Sequence, residues 1–370
     1  MRVLLSIWSL SSENGGPTRS TIGFAKALAK DGVGVCLFSH DPKTVADYVV
    51  DELKKVGVDY REGRGHDYKT ALADSRGLVR EVNPDLVHVQ GMWKLSTHAM
   101  NVAARESGIP IVISPHGMLA PWALSVKRWK KMLGMMLYQK GDLKHADAFQ
   151  VMCQEEAEHV RQFGLQAPTF IVPIGVDIPD FSTRRSRANG EKRRALFLSR
   201  LHPGKGLLLL AEAWAKLRPQ GWRMLVVGPN ERGHREEVEA KLNELGIARE
   251  WCFYGEASDN EKWDIYRDAD LFIHPSESEN FCISIAEALA SGLPVITTKG
   301  CPWGEIEGMC GWWIDRSVDN LVDTMRAAFS MTDEERAAMG DKGRALIEAK
   351  YAWPIVARKM REGYAAVIRR

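Results

Sequence analysis

The stretch Ser276-Glu277-Ser278-Glu279-Asn280-Phe281-Cys282-Ile283-Ser284-Ile285-Ala286-Glu287-Ala288-Leu289-Ala290-Ser291-Gly292-Leu293-Pro294-Val295 decides how the chain reads. The run before it, Leu271-Phe272-Ile273-His274-Pro275, is apolar and ends at a proline, as a buried parallel strand does. From Cys282 to Ala290 the apolar residues Ile283, Ala286 and Ala290 recur at helical spacing. Ser291-Gly292 then stops the helix, and Pro294-Val295-Ile296-Thr297 begins another strand. Two carboxylates eight positions apart, Glu279 ahead of the helix and Glu287 within it, therefore fall near the C-terminal end of one strand. In open α/β sheets ligands bind there. The helix N-terminus adds free N–H groups and a positive dipole end, which suit phosphate. An ordinary βαβ unit with solvated glutamates fits the same stretch equally well.

Outward from this unit the same alternation continues in both directions. On its side of the chain, strands are expected near Ala195–Ser199, Met224–Val227, Trp251–Tyr254, Leu271–His274 and Val295–Thr297, and closing helices near Val318–Ser330, Asp333–Ala349 and Pro354–Ile368. The earlier half predicts strands near Val3–Trp8, Val33–Ser39, Leu86–Val89, Ile111–Ser114, Ala148–Met152 and Thr169–Val172. Helices are expected between them near Thr18–Lys30, Lys69–Val82, Leu95–Glu106, Trp122–Lys144 and Glu155–Phe163. Such alternation is the mark of a doubly wound parallel sheet. The polar, basic run 181–193 has no apolar period and reads as a linker. The expected division is 1–180, joined by the last helix 353–370, then the linker 181–193, then 194–352. Two Rossmann-like halves imply a ligand cleft between them.

Composition narrows the class. At 370 residues, with 45% hydrophobic and 26% charged residues, the chain suits two soluble globular domains. A formal charge of +2 points to neither a nucleic-acid binder nor an acidic scaffold. The six cysteines are scattered without a C-x-x-C pair, which argues for reduced thiols in a cytoplasmic setting and against zinc. The opening Met1-Arg2-Val3-Leu4-Leu5-Ser6-Ile7-Trp8 reads as a first strand rather than a signal peptide. No apolar run approaches the ~20 residues of a membrane helix.

Several turns carry candidate chemistry. Gly15-Gly16, after the first strand, permits positive φ and close approach of a ligand to the backbone. The spacing is not that of a dinucleotide fingerprint. Ser114-Pro115-His116-Gly117 closes a buried strand and aims His116 at the expected cleft. Ser199-Arg200-Leu201-His202-Pro203-Gly204-Lys205-Gly206 puts a guanidinium and an ammonium in one loop just before a helix. Two fixed cations there suit a diphosphate whose charge grows as a bond to it breaks. Asp268-Ala269-Asp270 resembles a metal-binding pair but enters its strand from the N-terminal side, so no metal is assigned. Lys127 to Tyr138 is basic, aromatic and methionine-rich at helical spacing. It suits either an anionic membrane surface or a core helix with a charged outer face.

Together these residues resemble the family-4 retaining glycosyltransferases of the GT-B fold, of the bacterial polysaccharide and lipopolysaccharide type. The strongest part of the resemblance is Glu279 to Glu287, inside Pro-Ser-x-Ser-Glu-Asn-Phe and before Glu-Ala-Leu-Ala-Ser-Gly-Leu-Pro-Val. Gly15-Gly16, His116-Gly117, Arg200 with Lys205-Gly206, Pro84-Asp85-Leu86-Val87-His88, Pro173-Ile174-Gly175-Val176-Asp177, Cys301-Pro302-Trp303-Gly304-Glu305, Gly311-Trp312-Trp313 and Tyr351-Ala352-Trp353-Pro354 support it. The last of these resembles a closing segment that crosses back to the N-terminal domain.

The resemblance implies a sugar moved from a UDP- or GDP-sugar to a saccharide or lipid-linked saccharide, with retention and with no metal or other cofactor. It implies that Glu287 holds the ribose hydroxyls and that Glu279, with Asn280 beside it, faces the donor sugar. Arg200 and Lys205 would grip the diphosphate, helped by Gly15, Gly16 and the backbone of Phe281 and Cys282. His116 would contact the transferred sugar. Two positions depart from the family pattern: Cys282 stands where glycine is usual and Ile174 where asparagine is usual. A Cβ at 282 falls where the pyrophosphate or sugar would approach. A nucleotide-sugar epimerase of the same fold and a non-catalytic nucleotide-sugar-binding protein remain open alternatives.

Overall fold

Thirteen strands, all paired in parallel, form two sheets in the computed structural model, which describes residues 1–11, 15–42, 45–65, 67–180, 191–259 and 261–369. The first sheet comprises β1 (Arg2–Ile7), β2 (Gly34–Ser39), β3 (Asp59–Glu62), β4 (Leu86–Gln90), β5 (Ile111–Ser114), β6 (Ala148–Val151) and β7 (Thr169–Ile171) in the order β3-β2-β1-β4-β5-β6-β7. The second comprises β8 (Arg193–Leu198), β9 (Trp222–Val227), β10 (Trp251–Gly255), β11 (Leu271–His274), β12 (Val295–Thr298) and β13 (Gly311–Ile314) in the order β10-β9-β8-β11-β12-β13. The two doubly wound halves expected from the alternation are present.

The chain divides into two compact units, one of Met1–Gly175 with Trp353–Arg370 and one of Val176–Ala352. In the first, side chains of β1 alternate across the sheet as a pleated strand requires. Val3, Leu5 and Ile7 join Phe24, Leu28, Val356 and Met360 on one face, while Leu4 joins Cys36, Val79, Met100 and Ala104 on the other. The C-terminal helix Trp353–Ile368 packs on the helix Gly16–Lys30. Two glycines make room for it: a Cβ built on Gly23 or Gly175 would lie 2.1 or 2.2 Å from the Trp353 ring. In the second unit Trp214, Phe197, Leu210, Met224, Leu271, Ile273 and Met325 fill one face.

Four expectations need correction. The edge strands β3 and β13 were not anticipated: Asp59-Tyr60-Arg61-Glu62 has one apolar residue, and Gly311-Trp312-Trp313-Ile314 was read only as a motif. Nor was the helix Asp47–Lys55 expected. The single helix expected over Trp122–Lys144 is broken. Val126 is extended and Lys127 left-handed (φ 52), so Pro121–Ser125 and Arg128–Gly134 are separate helices. A π-helical segment, Met135–Gln139, and a short helix, Lys140–Lys144, follow. Of the expected linker, 181–190 lies outside the described residues, and Arg193 already belongs to β8.

Candidate active site

In the second unit the strand order reverses between β8 and β11, so the segments after these strands leave in opposite directions and open a crevice at their C-terminal ends. The two segments interlock. Glu277 N donates to Gly204 O at 2.8 Å and Ser276 Oγ to the same oxygen at 3.1 Å. Gly206 has φ +81, and a Cβ on it would lie 2.2 Å from Pro275 O, so only glycine lets the segments approach this closely. Lys205 is thereby set beside Glu279, with Nζ donating to Oε1 at 2.6 Å. From the segment after β12, Gly300 O accepts from Glu279 N at 2.7 Å.

His274, the last residue of β11, completes this cluster. Its Nε2 lies 2.9 Å from Glu279 Oε1, and its ring is stacked against both Phe197 and Phe272. Burial works against the Glu279 anion, but the His274 hydrogen bond and Lys205 outweigh it and hold the carboxyl at about 2. Glu279 is therefore an anion with an ammonium on one side. Lys205 has three N–H donors, and the Glu279 bond uses one of them.

Glu287 sits in the helix Ile283–Ala290 and is buried. Lys262 Nζ donates to its Oε1 at 2.8 Å and Tyr266 Oη to its Oε2 at 3.1 Å. Both partners lie on the helix Glu261–Arg267, four residues apart and so on one face. Sequence reasoning missed Lys262, Tyr266 and His274. The i, i+4 spacing of Lys262 and Tyr266 was a usable signal, but nothing local ties it to Glu287.

The loop between the two glutamates is braced from outside. Trp303 Nε1 donates to Phe281 O at 2.5 Å, and the rings of Phe281, Trp303 and Tyr351 pack together with centroids 5.1–5.8 Å apart. Trp313 Nε1 donates to Cys301 O at 2.7 Å. Cys282 caps the helix in the left-handed region, with φ 68. An L-residue there costs roughly 1–2 kcal/mol that glycine would not. Its Sγ comes near His274 and Cys301. Asn280 is half-buried beside them.

Arg200 is not part of this cluster. Its guanidinium pairs with Glu231 at 3.0 Å, and its side chain is 57% exposed. An exposed pair of this kind contributes about 0–1 kcal/mol and is easily released. Asp268 and Asp270 lie at the opposite end of β11. The Asp270 carboxylate accepts from Arg194 N at 2.7 Å and Asp268 pairs with the Arg194 guanidinium at 3.3 Å.

In the first unit the corresponding reversal lies between β1 and β4. Gly15 (φ 62) caps the helix that Gly16 begins, and a Cβ on either would meet nothing within 4 Å. Among the described residues nothing stands against their backbone. His116 follows β5 in the left-handed region (φ 53), with Nε2 2.8 Å from Gln90 Oε1 at the end of β4. The protein around it lowers its pKa to about 4, so the imidazole is neutral at pH 7. A buried carboxylate fixes this turn: Glu156 accepts from Gly117 N at 2.5 Å and from Met152 N at 2.8 Å. Glu156 is a positioning residue that no local pattern in the sequence marks out.

Comparison with known proteins places the chain in a family. The family model described as Glycosyltransferase Family 4 matches residues 14–179, and that described as Glycosyl transferases group 1 matches residues 180–346. The chain is 30% identical over 179 residues to the lipopolysaccharide 1,2-N-acetylglucosaminetransferase of Salmonella typhimurium, covering 45% of this chain and 46% of that protein. It is 28% identical over 200 residues to the putative colanic acid biosynthesis glycosyltransferase WcaL of Escherichia coli, covering 50% and 48%. The chain thus spans about half the length of these curated relatives. The fold is similar to that of Anabaena HepE in complex with UDP and glucose, with a TM-score of 0.78 at 18% identity over 99% of this chain and all of that one.

Proposed function

We propose that this chain, which belongs to glycosyltransferase family 4, moves a sugar with retention from a nucleoside diphosphate sugar to a hydroxyl of a saccharide or lipid-linked saccharide in surface polysaccharide assembly. The observation that carries this reading is the Lys205–Glu279–His274 cluster at the switch point, with buried Glu287 one helix turn further on. Support also comes from the names of the two relatives, both transferases of surface saccharides. In this reading the carboxylate of Glu287 accepts from the ribose hydroxyls while Lys262 and Tyr266 keep it aligned. Glu279 accepts from hydroxyls of the donor sugar. The free N–H bonds of Lys205, the positive end of the helix Ile283–Ala290 and Arg200, once released from Glu231, take the diphosphate.

The reaction then follows from charge. As the anomeric C–O bond to the phosphate breaks, negative charge grows on the leaving oxygen next to Lys205. The acceptor hydroxyl attacks the anomeric carbon from the same face, and its proton passes to the leaving phosphate. Neutral His116 contacts the transferred sugar as a hydrogen-bonding group rather than as a cation. Gly15 and Gly16 leave room against the donor. The expected outcome is a product with the anomeric configuration of the donor, read by proton coupling constants; an inverted product overturns the mechanism. A thermal-shift panel of UDP-, GDP- and ADP-sugars identifies the base, since a ligand at ~100 times its dissociation constant adds about 2.7 kcal/mol.

The segment after His116 suits an anionic membrane surface. The large apolar side chains of Trp122, Val126, Trp129, Met132, Leu133, Met136 and Leu137 are all exposed, so the alternative of a core helix fails. Exposed Lys127, Arg128, Lys130 and Lys140 are interleaved with them. Beside them Leu95, Leu133, Leu137 and Tyr138 line an open groove of about 450 Å³. No helix among the described residues is long and apolar enough to cross a membrane. Interfacial docking needs only such an apolar face with basic neighbours, each worth about 1 kcal/mol near anionic lipid. A lipid-linked acceptor would be presented at that surface.

A further inference from the structure

We propose that His274, Cys282 and Cys301 form a binding site for a thiophilic divalent cation of the zinc class. One ligand atom from each of the three lies within 4.8 Å of the other two. The residues come from separate segments: the end of β11, the cap of the helix Ile283–Ala290 and the turn after β12. Their sequence spacings of eight and nineteen residues match no local zinc motif, so the lack of a C-x-x-C pair does not bear on them.

The chemistry of the set is specific. Two thiols and an imidazole are borderline-soft ligands that suit zinc and reject magnesium or calcium. Zinc–sulfur bonds near 2.3 Å and zinc–nitrogen bonds near 2.0–2.1 Å put tetrahedral ligand atoms roughly 3.5–3.8 Å apart. Closing from 4.8 Å requires a shift of about 1 Å, which rotation about the Cα–Cβ bonds of the cysteines supplies. The imidazole needs no movement, because its stacking against Phe197 and Phe272 fixes it.

Two further observations point to a ligand. Among the described residues His274 Nδ1 is buried with no nitrogen or oxygen partner, and the Cys282 thiol interacts with the ring, so the soft ligands already meet there. Cys282 holds a left-handed conformation that glycine would adopt without strain, and it does so with its thiol next to the other two groups. Cys301 is fully buried and Cys282 half-buried, so a cation has a way in past Cys282. On binding, each thiol gives up one proton and the two thiolates balance the dipositive ion. Three protein ligands leave a fourth position for water.

Cation uptake is read whether or not sugar is transferred, so the proposal stands apart from the proposed function. The test is cobalt(II) titration of the reduced full-length protein, followed by displacement with zinc(II). One equivalent is expected, with thiolate-to-cobalt charge-transfer absorption and a tetrahedral visible band, both removed by one equivalent of zinc. Cys282→Gly, which the left-handed backbone accepts, and Cys301→Ser should each weaken uptake by about tenfold or more. Cys36→Ser, in the other unit, should leave it unchanged. Binding without charge-transfer absorption, or equally tight binding by Cys282→Gly, overturns the assignment. So does a Cys282–Cys301 disulfide that forms in air in protein that takes up no cobalt when reduced.

Discussion

At the residue scale, the two glutamates are not equivalent, and the difference comes from what each is bonded to. Glu279 shares its carboxylate between Lys205 and a ring nitrogen, whereas Glu287 is held by an ammonium and a phenol from one neighbouring helix. The sequence made both carboxylates visible, because spacing along one strand–helix unit is a local property. It could not show His274, Lys262 or Tyr266 as their partners, because those contacts depend on how separate elements pack. The same gap explains Arg200, which looked equivalent to Lys205 in one loop yet turns to Glu231. Replacing Glu287 tests the assignment. Glu287→Ala should weaken nucleoside diphosphate binding about tenfold or more, since the ribose hydroxyls lose an acceptor. It should also cost about 1–3 kcal/mol of stability, because Lys262 loses its buried partner and keeps only the exposed Asp259 at 3.4 Å. Glu287→Gln keeps an acceptor for Tyr266 and should lose affinity with a smaller stability cost. Calorimetric titration with UDP and GDP separates the two effects; unchanged affinity in a folded Glu287→Ala protein refutes the ribose role.

At the element scale, the reading of strands and helices succeeded where burial imposes a period and failed where it does not. β4, β5 and β11 are buried along their length, as β1 is from Val3 on, and they read as apolar runs. β3 is an exposed edge with pattern Asp-Tyr-Arg-Glu, and charged edge strands carry little apolar signal. The break at Val126-Lys127 was hidden for a different reason: neither Pro nor Gly marks it. That break makes 121–139 a set of short helices that leave their apolar side chains exposed. The membrane proposal follows from this element and is tested on it. The protein should sediment with phosphatidylglycerol-containing vesicles and much less with neutral phosphatidylcholine vesicles. Raising salt should release it, as basic side chains near anionic lipid are screened. Trp129→Ser combined with Met136→Ser should weaken vesicle binding by an order of magnitude or more. It should leave the thermal midpoint nearly unchanged, because both side chains are exposed. Equal binding by the double variant removes this segment as the docking surface.

At the scale of the whole molecule, the C-terminal helix belongs to the core of the first unit, and two features make that testable. The first is packing: Gly23 and Gly175 face the Trp353 ring at distances no Cβ tolerates. Gly23→Ala should therefore cost about 1–3 kcal/mol by overpacking, lowering the midpoint of the unit by several degrees at roughly 2–4 °C per kcal/mol.

The second feature is a buried polar chain that reaches across the sheet. His88 lies 2.6 Å from Tyr364 Oη and 2.6 Å from Ser114 Oγ, and Ser114 in turn donates to Gln150. Burial, with a smaller contribution from His116, lowers the His88 pKa to about 3. In the unfolded chain the same imidazole titrates at its ordinary 6.5. Between these values the unfolded state binds more protons than the folded one, so the stability contributed by neutral His88 is complete above pH 6.5. It is lost as the pH falls towards 3, by about 1.4 kcal/mol per pH unit for one proton. His116, lowered to about 4, acts in the same direction, to a smaller extent because its shift is smaller. Calorimetry in a pH series checks this once the transition of the first unit is identified. Tyr364→Phe identifies it, since the loss of one buried hydrogen bond to His88 costs about 1–3 kcal/mol and touches only that unit. The transition moved by Tyr364→Phe should fall steadily from pH 6.5 to 4.5, and His88→Gln should flatten that fall by about one proton. If the slope is the same with glutamine at 88, the imidazole is not held neutral in the folded protein, and the acid sensitivity comes from carboxylates instead.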